Sequence, residues 1–327
     1  GNSFFVPTIW ALHANVQTIV NFLRFFKPLP LDRKLIVTGD GGTVSLDFVK
    51  HHEDDPSKPL VIVLPGATGG SHSRYIRAFC THLSACNFRY VVVNWRGCSG
   101  TPVTTPRLVK FSESTDVAFA MTKIRNMYPN CPLLGVGFSM GSNFLTKYLG
   151  EVGEASPLVA AMSISNPFDL VHCYYSKQSL FRLHVYDRHV TNEFKRMVKA
   201  SSDIWTNSSF DLRRLENSRS IKDLDEVFSR HYGYESVHEY WNESSCGPWV
   251  DRVETPMLFV QALSDCFFPA DCLPLDIFTA NPNLLLATTI AGGHVAWLEG
   301  FIPIGTSWID RVAGEFLTAA VAELSVD

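Results

Sequence analysis

Residues 133–149, with the sequence LLGVGFSMGSNFLTKYL, contain the segment that decides the fold. The apolar run 133–138 predicts a buried strand, and residues 142–149 are predicted to form a helix. Between them stands a G-x-S-x-G pattern at residues 137–141. A serine flanked by glycines between a strand and a helix is typical of a sharp turn that lifts the serine above a sheet edge.

In this turn, here called the elbow (residues 137–141), the glycines and the serine have separate roles. Gly137 and Gly141 stand where side chains would collide with neighbouring backbone. The hydroxyl of Ser139 is expected at a helix N-terminus, where free N–H groups and the helix dipole favour a developing negative charge. The pattern therefore nominates Ser139 as a nucleophile. The alternative is a glycine-rich turn with an ordinary N-capping serine.

Strand and helix patterns alternate on both sides of the elbow, which predicts an α/β fold with a mostly parallel central sheet flanked by helices. A hairpin with a glycine-rich turn is predicted over 35–49. The alternation stops in 168–250, which we interpret as a helical lid inserted into a core formed by 35–167 and 251–327. Further strands are predicted at 60–64, 90–95, 159–164, 257–263 and 284–290, and further helices at 73–85, 112–127 and 307–323.

A nucleophilic serine needs a base and the base needs an orienting acid, which follow in the chain order serine, acid, histidine in this architecture. Among 11 histidines, His294 stands out because it follows the strand 284–290 in an Ala-Gly-Gly-His sequence. Asp265 directly follows the strand 257–263. Because parallel strands end at the same sheet edge, we expect Ser139, Asp265 and His294 to meet there. The alternatives are a helix-capping Asp265 and a His294 with no catalytic role.

A second group of backbone donors is expected from the loop after strand 60–64. This loop, Pro65-Gly66-Ala67-Thr68-Gly69-Gly70, is rich in glycine. We assign the oxyanion-binding N–H groups to Ala67 and Met140, while the alternative for the loop is a simple turn. The loop lacks the Lys-Ser/Thr pair of a phosphate-binding P-loop, which disfavours nucleotide binding.

Composition excludes several other classes of protein. The chain has 327 residues, a net charge of −4 and no run of five basic residues, so it lacks the electrostatic footprint of nucleic-acid-binding proteins. Its eight cysteines include no C-x-x-C pair, and neither a metal nor a cofactor is expected. We interpret the cysteines as free thiols, which favours an intracellular location, either cytoplasmic or membrane-associated.

The N-terminal segment 1–34 is predicted to contain an amphipathic helix. Polar residues interrupt its apolar stretch, which leaves no run of about 20 apolar residues that could span a bilayer. One interpretation packs the apolar stripe of this helix on the protein core, and the other lays it on a membrane surface. The stripe recurs every three or four residues, at Ile9, Leu12, Val16, Ile19 and Leu23.

Several blocks of sequence together resemble one known family. They are HANVQT (13–18), LPGATGGSHSRYIR (64–77), NWRGCSG (94–100), GFSMGSNFLTKYLGEVGE (137–154), FSRHYGYESVHEYWNESS (228–245), QALSDCFFP (261–269) and GGHVAWLEG (292–300). These blocks are similar to the YheT-type α/β-hydrolase-domain esterases, which include animal phospholipase-like members, plant embryogenesis-associated members and yeast ethyl-ester synthase/esterases. The resemblance implies an α/β-hydrolase fold and a serine-dependent esterase.

The resemblance puts the catalytic triad of that family on Ser139, Asp265 and His294. The family pattern has two adjacent aspartates and then a proline, whereas this chain has Ser264, Asp265 and Cys266. The second aspartate position, Asp265, is the one that the resemblance assigns as the acid. Animal members carry a membrane helix before this domain, so an anchor that precedes the present sequence stays an open alternative.

The sequence thus predicts a serine esterase or lipase that acts through an acyl-enzyme on Ser139. Acyl lipids are the favoured substrate class, whether phospholipids, acylglycerols or medium-chain esters. Two alternatives remain. An acyltransferase would pass the same acyl group to an alcohol acceptor, and a non-catalytic scaffold would retain only the hydrolase fold.

Overall fold

A single sheet forms the centre of the molecule. The computed structural model describes residues 4–50, 58–176 and 179–324, and within them the sheet has eight strands in the order β1-β2-β4-β3-β5-β6-β7-β8. The pairs β1–β2 and β2–β4 are antiparallel and the other pairs are parallel, which confirms the predicted mostly parallel sheet. The strands are β1 (Leu31–Val37), β2 (Thr43–Val49), β3 (Leu60–Leu64), β4 (Arg89–Asn94), β5 (Leu133–Phe138), β6 (Leu158–Ile164), β7 (Met257–Ala262) and β8 (Leu284–Thr289).

Helices cover both faces of this sheet. The helices α3 and α4 pack on one face, and α2 and α12 pack on the other. The helices are α1 (Ala14–Leu23), α2 (Arg74–Ala85), α3 (Thr115–Met127), α4 (Met140–Val152), α5 (Leu170–Ser176), α6 (Arg188–Ala200), α7 (Ser202–Thr206), α8 (Leu212–Asn217), α9 (Ile221–His231), α10 (Val237–Ser244), α11 (Leu275–Ala280) and α12 (Trp308–Glu323). The predicted α/β architecture is therefore confirmed, with apolar layers on the two sides of the sheet.

The strand that leads into the elbow lies in the interior of the sheet. β5 pairs with β3 on one side and with β6 on the other, and all six of its residues are buried. A strand buried on both faces needs apolar or small residues throughout, which explains why LLGVGF shows no polar alternation. The elbow therefore starts from a rigid point of the fold.

The stretch 168–250, called the insertion below, connects β6 to β7. It contains helices α5 to α10 and, in its described part, no strand. Trp205 and Phe210 pack with Phe194 and Phe228 in a small apolar cluster, which Leu108 from outside the insertion joins. A π-helical turn, Arg182–Asp187, leads into α6.

The N-terminal helix α1 is shorter than the segment 1–34, and its apolar stripe does not face the protein core. α1 spans only Ala14–Leu23, and strand β1 already begins at Leu31, before the segment 1–34 ends. Four of the five residues of the predicted core-facing stripe are solvent-exposed, since Ile9 is 71%, Leu12 is 58%, Val16 is 36% and Leu23 is 68% exposed. None of the described helices is both long enough and apolar enough to cross a bilayer.

Polar residues occupy the face of α1 that is turned inward. Gln17, Thr18 and Asn21 are buried, and each hydrogen-bonds to a backbone group of residues 294–298. Hydrophobic periodicity was a poor guide here because it cannot detect backbone groups that need partners. The interpretation that packs the apolar stripe of α1 on the core is therefore wrong.

Asp225 of α9 is a buried carboxyl group inside the insertion. Its Oδ2 accepts a hydrogen bond of 2.7 Å from Nε1 of Trp241 on α10. Burial raises the pKa of Asp225 to about 7, and the nearby Asp187 adds to the rise, while the Trp241 bond opposes it. An unfolded aspartate has a pKa of about 3.9, so the folded state holds the proton to higher pH. The resulting stabilisation is present below about pH 4 and is lost as the pH rises through about 7.

The substitution Asp225→Asn should therefore remove a pH-dependent destabilisation. Asparagine keeps an oxygen for Trp241 but carries no charge, so the variant should gain melting temperature relative to the parent at pH 8 and gain much less at pH 5. Thermal unfolding at the two pH values measures the difference. Asp203→Asn, at an exposed carboxylate of α7, is the matched control. Equal shifts of Asp225→Asn at both pH values would contradict the raised pKa.

Candidate active site

The elbow has the strained geometry that its glycines predict. Ser139 has φ 54° and ψ −122°, a positive φ that side chains rarely adopt, and α4 begins at the next residue. A Cβ atom on Gly141 would strike the carbonyl oxygen of Leu64, and one on Gly137 would lie 2.6 Å from the carbonyl oxygen of Gly141. Both positions therefore require glycine for the observed turn.

Three of the residues nominated from the sequence meet at this turn. His294 Nε2 lies 2.9 Å from Ser139 Oγ, and His294 Nδ1 lies 2.9 Å from Asp265 Oδ2. An ionised carboxylate only accepts hydrogen bonds, so Nδ1 carries the proton that is donated to Asp265. Nε2 is then free to accept the proton of the Ser139 hydroxyl. The arrangement is a continuous serine–histidine–aspartate chain.

Neighbouring parallel strands explain why these residues meet. Ser139 follows β5, Asp265 follows β7 and His294 lies on the loop after β8. Because β5 through β8 are successive parallel neighbours, their C-terminal ends lie along one edge of the sheet. His294 is thereby brought within hydrogen-bond distance of Ser139, 155 positions away along the chain, and of Asp265, 29 positions away.

The acid is held in a buried site. Asp265 is fully buried, and its Oδ1 accepts hydrogen bonds from the N–H groups of Phe267 at 2.7 Å and Phe268 at 3.2 Å. The aspartate-to-serine departure at Ser264 also has a structural role, because its Oγ donates to the carbonyl oxygen of Gly292 at 2.8 Å. This bond ties the loop of the acid to the loop of the histidine.

The two N–H groups nominated for an oxyanion lie beside Ser139. Ala67, Met140 and Ser139 all line the same cavity. Met140 is the first residue of α4, so its N–H has no acceptor within the helix. The loop that carries Ala67 is tied to α2, because Tyr75 Oη accepts the N–H of Gly66 at 2.9 Å. Both residues thus line the cavity next to the N-terminus of α4.

A cavity of about 720 Å³ opens at the Ser139 hydroxyl. Its wall is mostly apolar, and it combines side chains of the core, of α1 and of the insertion. A mostly apolar space of this volume lies within the usual range for small-molecule binding sites. The apolar and aromatic residues in its wall include Ile19, Phe22, Leu23, Leu170, Tyr174, Trp241, Phe267 and Phe268.

Arg182, a residue of the cavity wall, was not nominated from the sequence. Arg182 of the π-helical turn is buried beside the rings of Tyr174 and Phe267, with its guanidinium carbon 5.7 and 5.8 Å from their centroids. Its Nη1 donates to the carbonyl oxygen of Cys173 at 2.9 Å. The insertion carries several charged residues at unremarkable spacing, so only the folded chain distinguishes this arginine from its neighbours.

One group of potential metal ligands is present in the described part of the chain. Donor atoms of His172, Asp271 and Cys272 lie within 4.8 Å of one another. His172 is half-buried and Asp271 is exposed, and their contact of 3.0 Å is an ion pair when the histidine is protonated. The serine–histidine–aspartate chain has no atom in this group.

The comparisons with known proteins agree with the geometry. A family model described as alpha/beta hydrolase fold matches residues 59–301. Phospholipase ABHD3 from Bos taurus is 32% identical over 325 residues, which cover 97% of this chain and 79% of that protein. The monoacylglycerol lipase of Saccharomyces cerevisiae is 31% identical over 289 residues, which cover 86% of this chain and 64% of that protein.

A solved structure supports the fold independently. Est1E from Butyrivibrio proteoclasticus, with ferulic acid bound, superposes with a TM-score of 0.57 at 14% identity, covering 88% of this chain and 99% of that chain. At this identity the likeness concerns the fold alone. The family resemblance inferred from the sequence blocks is confirmed by the family model and by these relatives. The chain therefore belongs to the α/β-hydrolase family.

Proposed function

We propose that this chain is a serine hydrolase that cleaves carboxylic esters of acyl lipids through an acyl-enzyme on Ser139. At the level of reaction class it is a carboxylic ester hydrolase, as its family and its relatives indicate. The observation that carries the finer proposal is the pair of 2.9 Å contacts from His294 to Ser139 and to Asp265, at the end of a large apolar cavity.

Each polar group has a role in the proposed reaction. Ser139 Oγ attacks the ester carbonyl carbon while His294 Nε2 takes its proton, and Asp265 stabilises the imidazolium through Nδ1. The N–H groups of Ala67 and Met140 bind the oxyanion of the tetrahedral intermediate. The imidazolium returns the proton to the leaving alcohol, which leaves Ser139 acylated. Water activated by His294 then releases the fatty acid and restores the serine.

The shape and lining of the cavity support an acyl-lipid substrate. The relatives are named as a phospholipase and a monoacylglycerol lipase, and both names denote enzymes of acyl lipids. In this chain the aromatic side chains of Tyr174 and Trp241 line the cavity, whereas Trp205 and Phe210 belong to the small apolar cluster. The aromatic residues of the insertion thus divide between substrate pocket and internal packing.

The insertion is proposed to act as the lid of this pocket. Residues 35–167 and 251–327 would form the catalytic core, and 168–250 would cover it. Leu170, Tyr174 and Trp241 supply this part of the wall, so the insertion determines how far an acyl chain extends from Ser139. A lid that contributes directly to the wall selects substrates by shape.

Replacing Ser139 by alanine should abolish hydrolysis, because it removes the hydroxyl on which the proposed acyl-enzyme forms. The parent should hydrolyse p-nitrophenyl esters with a preference for chains longer than butyrate, and a fluorophosphonate probe should label it at Ser139. Asp265→Asn should retain the fold and lower kcat by about 10⁴, because the imidazole loses its orienting acceptor.

The control for this experiment is Ser142→Ala, which removes a neighbouring hydroxyl that donates to the Ser139 carbonyl rather than to the histidine. It should keep labelling and most of the activity. Full ester hydrolysis by Ser139→Ala would eliminate the proposed nucleophile. Failure of the probe to label Ser139 in the parent would favour a non-catalytic scaffold. Labelling without net ester hydrolysis would favour an acyltransferase, whose ester products should form with added ethanol.

An exposed apolar surface at the cavity mouth supports contact with a lipid surface. Phe25 is 81% and Ile304 is 80% exposed, and the two lie near each other because Arg24 donates a hydrogen bond to the carbonyl oxygen of Gly305. Trp10 Nε1 donates to the carbonyl oxygen of Phe301 at 2.6 Å, which joins the N-terminal segment to the same loop. We call this surface the apolar rim, and it consists of Trp10, Leu23, Phe25, Phe301, Ile302 and Ile304.

The apolar rim adjoins the cavity through α1. Ile19, Phe22 and Leu23 of this helix line the cavity, and Leu23 is also part of the rim. A lipid would therefore pass from a bilayer to Ser139 along apolar side chains without crossing water. Exposed apolar patches beside a binding cleft are typical of membrane-contact sites.

The double substitution Phe25→Ser and Ile304→Ser should weaken binding to vesicles. Burial of these side chains in a bilayer is worth about 2 kcal/mol each, so flotation with phosphatidylcholine vesicles should fall strongly while hydrolysis of p-nitrophenyl butyrate in solution is unchanged. Leu275→Ser is the matched control, since α11 packs on the opposite face of the sheet from α2, the helix that α1 contacts. Undiminished flotation of the double variant would show that the rim does not contact lipid.

A further inference from the structure

The loop that carries His294 rests on helix α1. We call residues 291–299 the histidine loop. The backbone N–H of His294 donates to Thr18 Oγ1 at 2.8 Å, and Thr18 Oγ1 donates in turn to the carbonyl oxygen of Ala14 at 2.8 Å. A hydroxyl that donates to the Ala14 carbonyl oxygen keeps a lone pair for the N–H of His294, and Thr18 Oγ1 also lies 3.4 Å from Cys266 Sγ.

The residue after the histidine is strained and is held on both sides. Val295 has φ 54°, which is a genuine outlier for a β-branched residue. Its N–H donates to Ser165 Oγ at 3.1 Å, and its carbonyl oxygen accepts from Asn21 Nδ2 at 2.8 Å. Strain of this kind persists only where surrounding contacts over-determine the backbone.

Two more contacts join the histidine loop to α1. Gln17 Oε1 accepts the N–H of Leu298 at 2.8 Å. Gly293 packs so closely on α1 that a Cβ atom there would lie 2.6 Å from Thr18 Oγ1 and 2.8 Å from the Ala14 carbonyl oxygen. The Gly-Gly-His sequence thus lets the loop lie directly on the helix, and the inward polar face of α1 supplies its hydrogen-bond partners.

From these contacts we propose that α1 positions the catalytic base, with Thr18 and Asn21 as positioning residues for His294. This inference rests on the proposed function, in which His294 is the base. The side-chain bonds to Ser139 and Asp265 orient the imidazole ring, but they leave the backbone of the loop to other contacts. Thr18 and Asn21 hold the two peptide groups that flank the strained step from His294 to Val295.

Loss of the Thr18 hydroxyl should let the histidine loop relax. A buried N–H without a partner is costly, and here it stands next to a strained residue, so the backbone gains by moving to a different conformation. A displacement of about 1 Å at a catalytic group costs on the order of 10²-fold in rate. The effect should fall on kcat, because Thr18 is not part of the cavity wall.

Three substitutions separate positioning from general stability. Thr18→Val removes the acceptor and keeps the shape, whereas Thr18→Ser keeps a hydroxyl that can restore the bond. Thr8→Val is the matched control, because Thr8 is equally buried in the N-terminal segment and its Oγ1 has no hydrogen-bond partner among the described residues. Circular dichroism establishes that each variant is folded at the assay temperature.

The assay uses p-nitrophenyl butyrate in solution, so that membrane contact has no influence. Thr18→Val should lower kcat roughly 10- to 100-fold with KM within about twofold, and should slow fluorophosphonate labelling of Ser139 in parallel. Thr18→Ser should recover most of the rate, and Thr8→Val should match the parent. A folded Thr18→Val variant with kcat within about twofold of the parent overturns the inference, as does a failure of serine to rescue it.

Hydrogen–deuterium exchange of residues 291–299 provides a readout that does not require activity. Thr18→Val should accelerate exchange in this peptide, and Thr18→Ser and Thr8→Val should not. If the parent neither hydrolyses esters nor reacts with the probe, the proposed function fails, while exchange still decides whether α1 holds the loop. Unchanged exchange in Thr18→Val overturns the positioning role by itself.

Discussion

The close approach of helix α4 to the end of strand β3 is the constraint on which the site depends. A Cβ atom on Gly141 would strike the carbonyl oxygens of Leu64 and Pro65, so only glycine allows this approach. The approach brings the loop of Ala67 beside the first turn of α4 and leaves Ser139 at a positive φ between them. The strain at Ser139 is tolerated because β5 is paired on both sides and buried along its length.

The remaining polar groups are assembled around this turn from distant parts of the chain. Asp265 and His294 arrive from the ends of two other parallel strands, and Ser264 joins their loops through the Gly292 carbonyl. The opposite end of the chain completes the assembly, because α1 packs its polar face against the histidine loop. The same helix offers apolar residues to the cavity mouth. One short helix therefore contacts both the loop of the proposed base and the path of the proposed substrate.

Local sequence patterns explain why the elbow and the three candidate catalytic residues could be predicted. The elbow can be predicted because its glycines stand at fixed positions around the serine, between a strand pattern and a helix pattern. Asp265 and His294 can be predicted because each follows an apolar strand. The structure brings these three side chains together as expected. The face of α1 could not be predicted in the same way. Gln17 and Thr18 appear in the family-like block HANVQT, yet their partners are backbone groups 281 and 276 positions away along the chain.

The sequence by itself determined the α/β class, the elbow and the candidate nucleophile, acid and base, because periodicity and glycine placement are local properties of a chain. Only the tertiary structure decided which face of α1 is buried, which aromatic residues of the insertion reach the cavity, and that Asp225 holds its proton to about pH 7. These features depend on the desolvation and hydrogen bonding of groups distant in sequence. Such effects exist only once the chain has packed.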